Sequence, residues 1–157
     1  MKDFIKEFNT TLETYEKKLR AITEEKSSAR PAPGKWSPKE ILGHLIDSSI
    51  NNTRRIVLGQ LQDNLIFTGY RQDDWVRLQN YQKEEWNFLI DLWKANNLHL
   101  IHIVEEVPES VLKKEHTEHD FDQILSESFA KDKPVKLEDL IRDYLVHMKH
   151  HLNQIIK

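Results

Sequence analysis

Two histidines near the end of the sequence, His147 and His151, have the residue type and spacing of a metal site on a helix. Residues four apart in a helix lie on successive turns, about 5–6 Å apart at Cβ. Two imidazoles placed in this way can bind one metal ion between them, and His-x-x-x-His recurs in metal sites for that reason. A pair is an incomplete site, so a further ligand must come from elsewhere in the chain.

His44 is the candidate third ligand, because it lies at the edge of the apolar face of another predicted helix. Helix bundles build metal sites from side chains on facing helices. Neutral imidazole suits zinc or nickel first, with iron, manganese or cobalt as alternatives, and three protein ligands leave positions open for water or substrate. The competing interpretation is three unrelated, half-buried histidines, each bonded to a backbone carbonyl.

Five further side chains near these positions are candidates for supporting roles. Asp47, Asn51 and Gln154 are placed to orient the rings through hydrogen bonds. Asp47 and His150 are the candidates for a general base. Arg55 lies on the helical row of the third ligand, about three turns on, where it could attract an anionic thiol, although a solvated surface charge is the simpler alternative.

The other paired histidines are expected to lie outside any site. His99 and His102 fall opposite the apolar stripe of their predicted helix, which indicates a solvated position. His116 and His119 have a spacing compatible with metal binding, but they lie in a charged segment without a predicted scaffold. We therefore expect them at the surface.

Four amphipathic helices are predicted to position these side chains. Apolar residues recur at three- and four-residue steps over residues 3–25, 37–59, 81–107 and 137–157. The second segment opens with Ser37 and Glu40 in a capping-box arrangement and with Pro38 at the first helical position. This pattern predicts an all-α four-helix bundle formed by one domain over residues 1–157.

The two long connections, 60–80 and 108–135, argue against the simplest hairpin-linked topology. The first is rich in aromatic and turn-forming residues and predicts an ordered loop with a short helical turn. In the second, Val111 and Leu112 indicate a short turn. A group of apolar residues further along is expected to cover the core: Phe121, Ile124, Leu125 and Phe129.

Composition excludes several classes of protein and site. The net charge of -3 lacks the basic footprint of a nucleic-acid-binding protein. The absence of cysteine excludes disulfides, thiolate metal sites and a cysteine nucleophile. No apolar run approaches the length of a membrane span, and the first residues do not resemble a signal peptide. We therefore expect a cytoplasmic protein without a membrane or nucleic-acid partner.

At the histidine-bearing segments the sequence resembles the DinB/YfiT-like superfamily, and in particular its DinB-2 branch. Three motifs carry this resemblance: Trp36-Ser-x-x-Glu40-x-x-x-His44-Leu-x-Asp47, Phe67-Thr-Gly-Tyr-x-Gln-Asp-x-Trp75, and His147-x-x-His150-His151-x-x-Gln154-Ile. They span most of the chain in matching order. The resemblance runs from about Trp36 to Ile155 and is weakest over residues 108–135, where no residues can be matched.

The resemblance implies an up-down-down-up four-helix bundle, often a homodimer, with a divalent metal on three histidines. Those three correspond by position to His44, His147 and His151. Relatives include S-transferases that use bacillithiol, mycothiol or glutathione, and an isomerase that uses mycothiol. The chain also has a surplus of aromatic residues for a bundle of this size, which favours a homodimer. The residues concerned are Trp36, Trp75, Trp86 and Trp93.

The leading hypothesis is a metal-dependent S-transferase that joins a small-molecule thiol to an electrophilic substrate. Because the chain lacks cysteine, the sulfur nucleophile must come from a cosubstrate. The aromatic loop around Tyr70 and Trp75 is expected to shape the mouth of the site. The alternatives are a metal-dependent hydrolase, a bundle that binds metal or a small ligand without turnover, and a purely structural module.

Overall fold

The structure, a computed structural model, describes residues 1–126 and 129–156 and confirms the predicted four-helix bundle. The four long helices are α1 (Lys2–Arg20), α3 (Pro38–Gly59), α5 (Trp86–Glu106) and α8 (Leu137–Ile155). The shorter elements are α2 (Glu24–Ser28), α4 (Gln72–Gln79), α6 (Glu109–Leu112), α7 (Phe121–Ile124), β1 (Glu115–His116) and β2 (Val135–Lys136), with a 3₁₀ turn at Tyr81–Lys83.

The long helices form a ring in which α1 packs on α5, α5 on α3, α3 on α8, and α8 on α1. Helices α1 and α3 are therefore diagonal partners, as are α5 and α8. A connection between diagonal helices must cross an end of the bundle, which accounts for the long segment between α5 and α8. The ring also brings α3 and α8, the two helices with candidate ligands, side by side.

Large apolar side chains from all four long helices fill the centre of the bundle, among them Phe8, Leu42, Trp93 and Met148. Two polar side chains within this core, Tyr144 and Asn97, are paired with each other. The Tyr144 hydroxyl donates to Asn97 Oδ1 at 2.6 Å, as expected for a buried phenol. None of the helices in the described part of the chain is long and apolar enough to cross a membrane.

The start of α3 is fixed by the predicted capping box. The backbone N–H of Glu40 donates to Ser37 Oγ at 3.2 Å, and the backbone N–H of Ser37 donates to Glu40 Oε2 at 2.8 Å. Pro38 occupies the first turn. Two otherwise unpaired N–H groups are thus satisfied, which fixes where the helix begins, nearly two turns before His44.

Three boundaries differ from the prediction. Helix α1 ends at Arg20, and Thr23 caps the separate helix α2. The 60–80 segment contains the two-turn helix α4, longer than the expected turn, and Asn80 ends it in the left-handed region at φ 54°. The third long helix begins at Trp86, after the 3₁₀ turn. In each case a local cap or turn interrupts an apolar pattern that continues through it.

The 108–135 connection contains the predicted turn as α6, and Phe121 is buried as expected. Its short antiparallel pair was not predicted, because two residues per strand are too few to show a two-residue period. Glu115 pairs with Lys136, and His116 with Val135. The strand pair ties the middle of the connection to the start of α8.

The surface position predicted for His116 and His119 is wrong, since both are buried. Nδ1 of His116 lies 2.9 Å from the carbonyl oxygen of Asp63. Nε2 of His119 lies 2.9 Å from the carbonyl oxygen of Lys133. A packed connection carries backbone groups that need partners, and these imidazoles supply them.

Candidate metal centre

The three predicted ligands converge between α3 and α8. His44, His147 and His151 each offer a ligand atom, and these atoms all lie within 4.8 Å of one another. The Nε2 atoms of His44 and His147 are 3.3 Å apart. His44 comes from α3 and the other two from α8, so the adjacency of these helices in the ring assembles the cluster.

The spacing and chemistry of this donor set fit a divalent cation. Two nitrogens at about 2.0–2.1 Å from a tetrahedral zinc ion are about 3.3–3.4 Å apart, which is the separation of the His44 and His147 nitrogens. Burial, together with a smaller effect of the neighbouring histidines, lowers the pKa of His44 to about 4 and that of His147 to about 3. Burial also lowers the pKa of His151. The rings are therefore neutral at pH 7, with lone pairs available for a metal.

Gln154 orients one of the three rings. Its Oε1 atom accepts a hydrogen bond from Nδ1 of His151 at 3.1 Å, and its Nε2 atom donates to Nε2 of His150 at 3.0 Å. With the proton on Nδ1, the Nε2 lone pair of His151 remains free for the cluster. By contrast, Nδ1 of His44 is buried without a hydrogen-bond partner among residues 1–126 and 129–156.

Asp47 and Asn51 do not contact the ligand rings through hydrogen bonds. Asp47 is 0% exposed, and its Oδ1 atom accepts from Gln79 at 2.5 Å and from the Tyr81 hydroxyl at 2.7 Å. Burial raises the pKa of this carboxyl. Asn51 donates to the backbone carbonyl of Asp47 at 2.9 Å. Asp47 thus connects α3 to the end of α4 and to the 3₁₀ turn that follows it.

Sequence reasoning missed the packing of Tyr81 against α3. A Cβ atom on Gly43 would lie 2.1 Å from Cδ2 of Tyr81, so only glycine admits the ring at this position. The available signal was a glycine inside a strongly predicted helix, immediately before His44. The close contact holds the site-bearing turn of α3 against the 3₁₀ turn.

A cavity of about 230 Å³ adjoins the cluster. Its walls come from α3, from α8 and from the loop before α4, and they include His44, Ser48, Arg55, Tyr70, Asp143 and His147. The ring of Tyr70 lies 6.5 Å from that of His44, and the Trp75 ring lies 5.0 Å from Tyr70. The aromatic loop is therefore beside the candidate site.

Arg55 lines the same cavity and is only 8% exposed. The simpler alternative predicted for Arg55 was a solvated surface charge. The structure differs, because the side chain is buried in the cavity wall. The 108–135 connection contributes Gln123 and Ser126 to the wall. Sequence reasoning did not single out these two residues, since no motif or periodicity marks them.

A second and more open cavity, of about 540 Å³, reaches the cluster from another side. Its lining includes Lys35, Trp36, His151 and Gln154. The Trp36 ring also lies 5.3 Å from that of His44. The histidine cluster is thus accessible from two separate spaces. His150 is exposed and holds Gln154 rather than facing the cluster.

Sequence comparison connects these features to one family. The DinB superfamily model matches residues 7–155, which is nearly the whole chain. No curated protein matches the sequence.

Two solved structures share the fold. YfiT from Bacillus subtilis, described as a probable metal-dependent hydrolase with an unusual four-helix bundle topology, is 18% identical with a TM-score of 0.74. The alignment covers 99% of this chain and 85% of YfiT. The mycothiol-dependent maleylpyruvate isomerase is 10% identical with a TM-score of 0.71, over 98% of this chain and 60% of that one. This chain therefore spans less than two thirds of the isomerase.

Proposed function

The chain belongs to the DinB superfamily, and from that premise we propose that it is a metal-dependent enzyme acting on small molecules. The proposed reaction is transfer of a low-molecular-weight thiol to an electrophilic substrate. The observation that carries the proposal is the convergence of three neutral imidazoles beside an internal cavity. His44, His147 and His151 would hold the metal, with zinc or nickel as the first candidates.

When bound, a divalent cation favours the deprotonated form of a thiol or of water. The chain has no cysteine, so the sulfur comes from a cosubstrate. In the transfer, that sulfur forms a bond to an electrophilic carbon, whose leaving group departs with the bonding electrons. The thiol proton passes to solvent. His44 and His147, whose lowered pKa values keep them neutral, do not compete by binding that proton at pH 7.

Tyr70 is the side chain best suited to assist from the protein side. Burial raises its pKa to about 12, so the phenol keeps its proton through the physiological range. It lines the cavity beside His44 and can donate a hydrogen bond to an oxygen of the substrate. Asp47 is less suited to act as a base, because its carboxylate is fully buried and faces Gln79 and Tyr81.

Access from two sides favours transfer over hydrolysis. A reaction between a thiol and an electrophile needs room for two organic molecules near the metal, and two cavities meet the cluster. Hydrolysis needs room for one substrate and a water. It remains the second candidate, because the structurally similar YfiT is described as a probable metal-dependent hydrolase.

The test is turnover by zinc- or nickel-loaded protein with bacillithiol, mycothiol, glutathione or cysteine and a chlorinated or epoxide electrophile. Loss of free thiol is followed in the wild type, in His151→Ala and in His99→Ala, which alters an exposed histidine outside the site. We expect metal-dependent thiol consumption that is lost in His151→Ala and kept in His99→Ala.

Other outcomes decide between the remaining hypotheses. Ester or amide hydrolysis that needs the metal but no thiol would replace transfer with hydrolysis. Stoichiometric metal binding without turnover would indicate a binding protein. Full metal occupancy in a variant lacking all three histidines would refute the site itself.

We also propose that the protein is a homodimer. Trp86 and Trp93 belong to the core, so the argument from surplus tryptophan now rests chiefly on the exposed Trp75. Trp75 lines a surface groove with the exposed apolar residues Ile50 and Leu78, a combination that favours burial against another protein surface. Light scattering at micromolar concentration should give twice the chain mass, and a monomer at all concentrations would contradict the proposal.

A further inference from the structure

Arg55 is the one Arg or Lys among the described residues that line the cavity beside His44. Its side chain is almost wholly removed from solvent. Burying a guanidinium is costly unless hydrogen bonds or an opposite charge compensate it. The wild-type sequence nevertheless places this charge on the cavity wall, between helix α3 and the candidate substrate space.

No hydrogen bond or salt bridge joins Arg55 to another residue within 1–126 and 129–156. The two carboxylates whose charges act on Arg55, Asp120 and Asp143, accept hydrogen bonds from backbone groups instead, although Oδ1 of Asp120 has no partner among the described residues. Both carboxylate oxygens of Asp143 accept from the backbone N–H of Ser126, at 3.0 and 3.1 Å. Oδ2 of Asp120 accepts from the backbone N–H of Phe67 at 3.0 Å. The charges of these carboxylates raise the pKa of Arg55 without a hydrogen bond to it. The N–H donors of the guanidinium are therefore available to a ligand.

The position of Arg55 relates it directly to the histidine cluster. It follows His44 by eleven residues on α3, which corresponds to about 16 Å along the helix axis. Helical side chains lean toward the N-terminus of their helix, which is the direction of His44 from Arg55, and the charge of Arg55 acts on His147. Ser48 and Asn52 lie between them on the same cavity wall. The cavity therefore has the histidines at one end and a cationic fork at the other.

We infer that Arg55 binds a carboxylate group of the small molecule whose reacting end lies at the three-histidine cluster. This inference rests on the proposed function, which it extends by naming the class of substrate. A guanidinium pairs with a carboxylate through two parallel hydrogen bonds. A singly charged group suits the site better than a phosphate dianion, because Asp143 places a negative charge on the same wall.

The unsatisfied state of Arg55 is consistent with a ligand-binding role. Burial lowers the pKa of the guanidinium, and the negative groups around it offset only part of that effect. A side chain kept for the fold would be expected to gain a partner within the protein. An arriving carboxylate would supply hydrogen bonds that no described residue provides.

The first experiment uses zinc-loaded protein and pairs of ω-mercapto acids and ω-mercapto alcohols of equal chain length, with two, five or seven methylenes before the terminal group. Calorimetry gives the affinity of each probe. We expect the wild type to prefer one acid over its matching alcohol by about tenfold or more. Arg55→Gln should remove this preference, and Arg55→Lys should restore part of it, because lysine keeps the charge but not the planar fork.

Arg54→Gln is the matched control, since it removes an exposed arginine at the adjacent position of the same helix. It should leave the preference unchanged. Equal affinity for acid and alcohol in the wild type, or an undiminished preference in Arg55→Gln, would overturn the inference. If Arg54→Gln lost the preference for the acid, that preference would come from general surface charge. This outcome would also overturn the inference.

A second measurement separates this inference from the proposed function. Hexanoate is titrated into metal-free protein while the Nε–H resonance of Arg55, assigned by its loss in Arg55→Gln, is followed by NMR. We expect a saturable shift with hexanoate and none with hexanol. A saturable shift in a protein that binds no zinc would uphold the carboxylate site and refute the metal centre. Zinc binding without any shift would do the reverse.

Thermal unfolding decides whether Arg55 serves the fold instead. Removing a buried charge that lacks a partner should leave the melting temperature of metal-free protein unchanged or raise it. A clear fall in Arg55→Gln, with no restoration in Arg55→Lys, would show that the guanidinium supports the native structure and would count against a ligand-binding role. The same melts establish that each variant is folded for the binding experiments.

Discussion

Two histidine pairs in this protein have metal-like spacing, and the structure uses them in opposite ways. His147 and His151 lie four apart on a long helix, with their rings directed at His44. His116 and His119 lie three apart in the 108–135 connection, where their rings bond to backbone groups. All four side chains are buried or partly buried. Burial and spacing therefore do not distinguish the candidate metal centre from the structural pair.

The difference lies in where the ring lone pairs point. Nε2 of His119 donates to the Lys133 carbonyl, and Nδ1 accepts from the backbone N–H of Phe121 at 3.2 Å. Neither nitrogen of His119 is left for a metal, so the pair keeps only Nε2 of His116 without a hydrogen-bond partner among the described residues. In the cluster, Gln154 occupies only Nδ1 of His151, and the opposite nitrogen is free. A metal site needs lone pairs that converge, and convergence depends on the tertiary arrangement of α3 and α8.

The largest expected effect is the loss of metal from the cluster variants. His147→Ala or His151→Ala removes one of three ligands and should lower zinc affinity more than about 100-fold, beyond the 10- to 100-fold range for losing a supporting hydrogen bond. His116→Ala should retain one zinc per chain. Metal analysis after dialysis measures both. The contrast between the pairs fails if His116→Ala loses metal as completely as His151→Ala.

Acid pH should weaken the metal-free fold through the cluster. The pKa of His44 is lowered from 6.5 to about 4 in the folded protein, so its contribution to stability is complete above pH 6.5. Between pH 6.5 and 4 the unfolded chain takes up a proton that the folded chain excludes, and the free energy of unfolding falls. The loss is on the order of 3 kcal/mol at pH 4 for this group.

Urea denaturation from pH 7 to pH 4 measures this dependence. His44→Leu lacks the titrating ring and should lose less stability than the wild type over the same interval. Carboxylates titrate in both proteins, so the difference between the two curves isolates the histidine. Parallel curves would show that burial of the cluster does not penalise protonation.

The structural pair should give the opposite phenotype. His119→Ala leaves the Lys133 carbonyl and the Phe121 N–H without their partner in a buried position, which costs about 2 kcal/mol of stability. Urea denaturation of metal-free protein measures this loss. The same variant should bind zinc with wild-type stoichiometry. If His119→Ala is as stable as the wild type, the ring is dispensable for holding the connection.

Some features of the fold and of the candidate site could be predicted from the sequence and others could not, and the difference has a physical reason. The capping box at Ser37 and the apolar stripe of α8 are local signals, and both gave correct helices. The buried His116 and the short strands depend on contacts between residues about 20 to 50 positions apart, which leave no periodic trace. The same limit applies to Arg55. The sequence placed it on the same helical row as His44, but it did not predict the tertiary contacts that bury the side chain in the cavity wall.

The smallest expected effect is on zinc affinity and concerns Gln154, which orients the ring of His151. Gln154 fixes the proton of His151 on Nδ1 and so directs the Nε2 lone pair to the other two rings. Gln154→Leu keeps a side chain of similar size at an exposed position but removes both hydrogen bonds. Without them the ring can rotate or carry its proton on Nε2. Zinc affinity should then fall about tenfold, as is usual when a supporting partner of a ligand histidine is lost.

Competition with a zinc indicator measures that affinity, and His150→Ala provides the matched control. This control removes the other partner of Gln154 but leaves the bond to His151, so zinc affinity should change less than in Gln154→Leu. Stability should be nearly unaffected in both, since the side chains are exposed. Equal affinities in the wild type and Gln154→Leu would mean that α8 alone orients His151. The preparation of the cluster would then arise from helix packing rather than from a hydrogen bond.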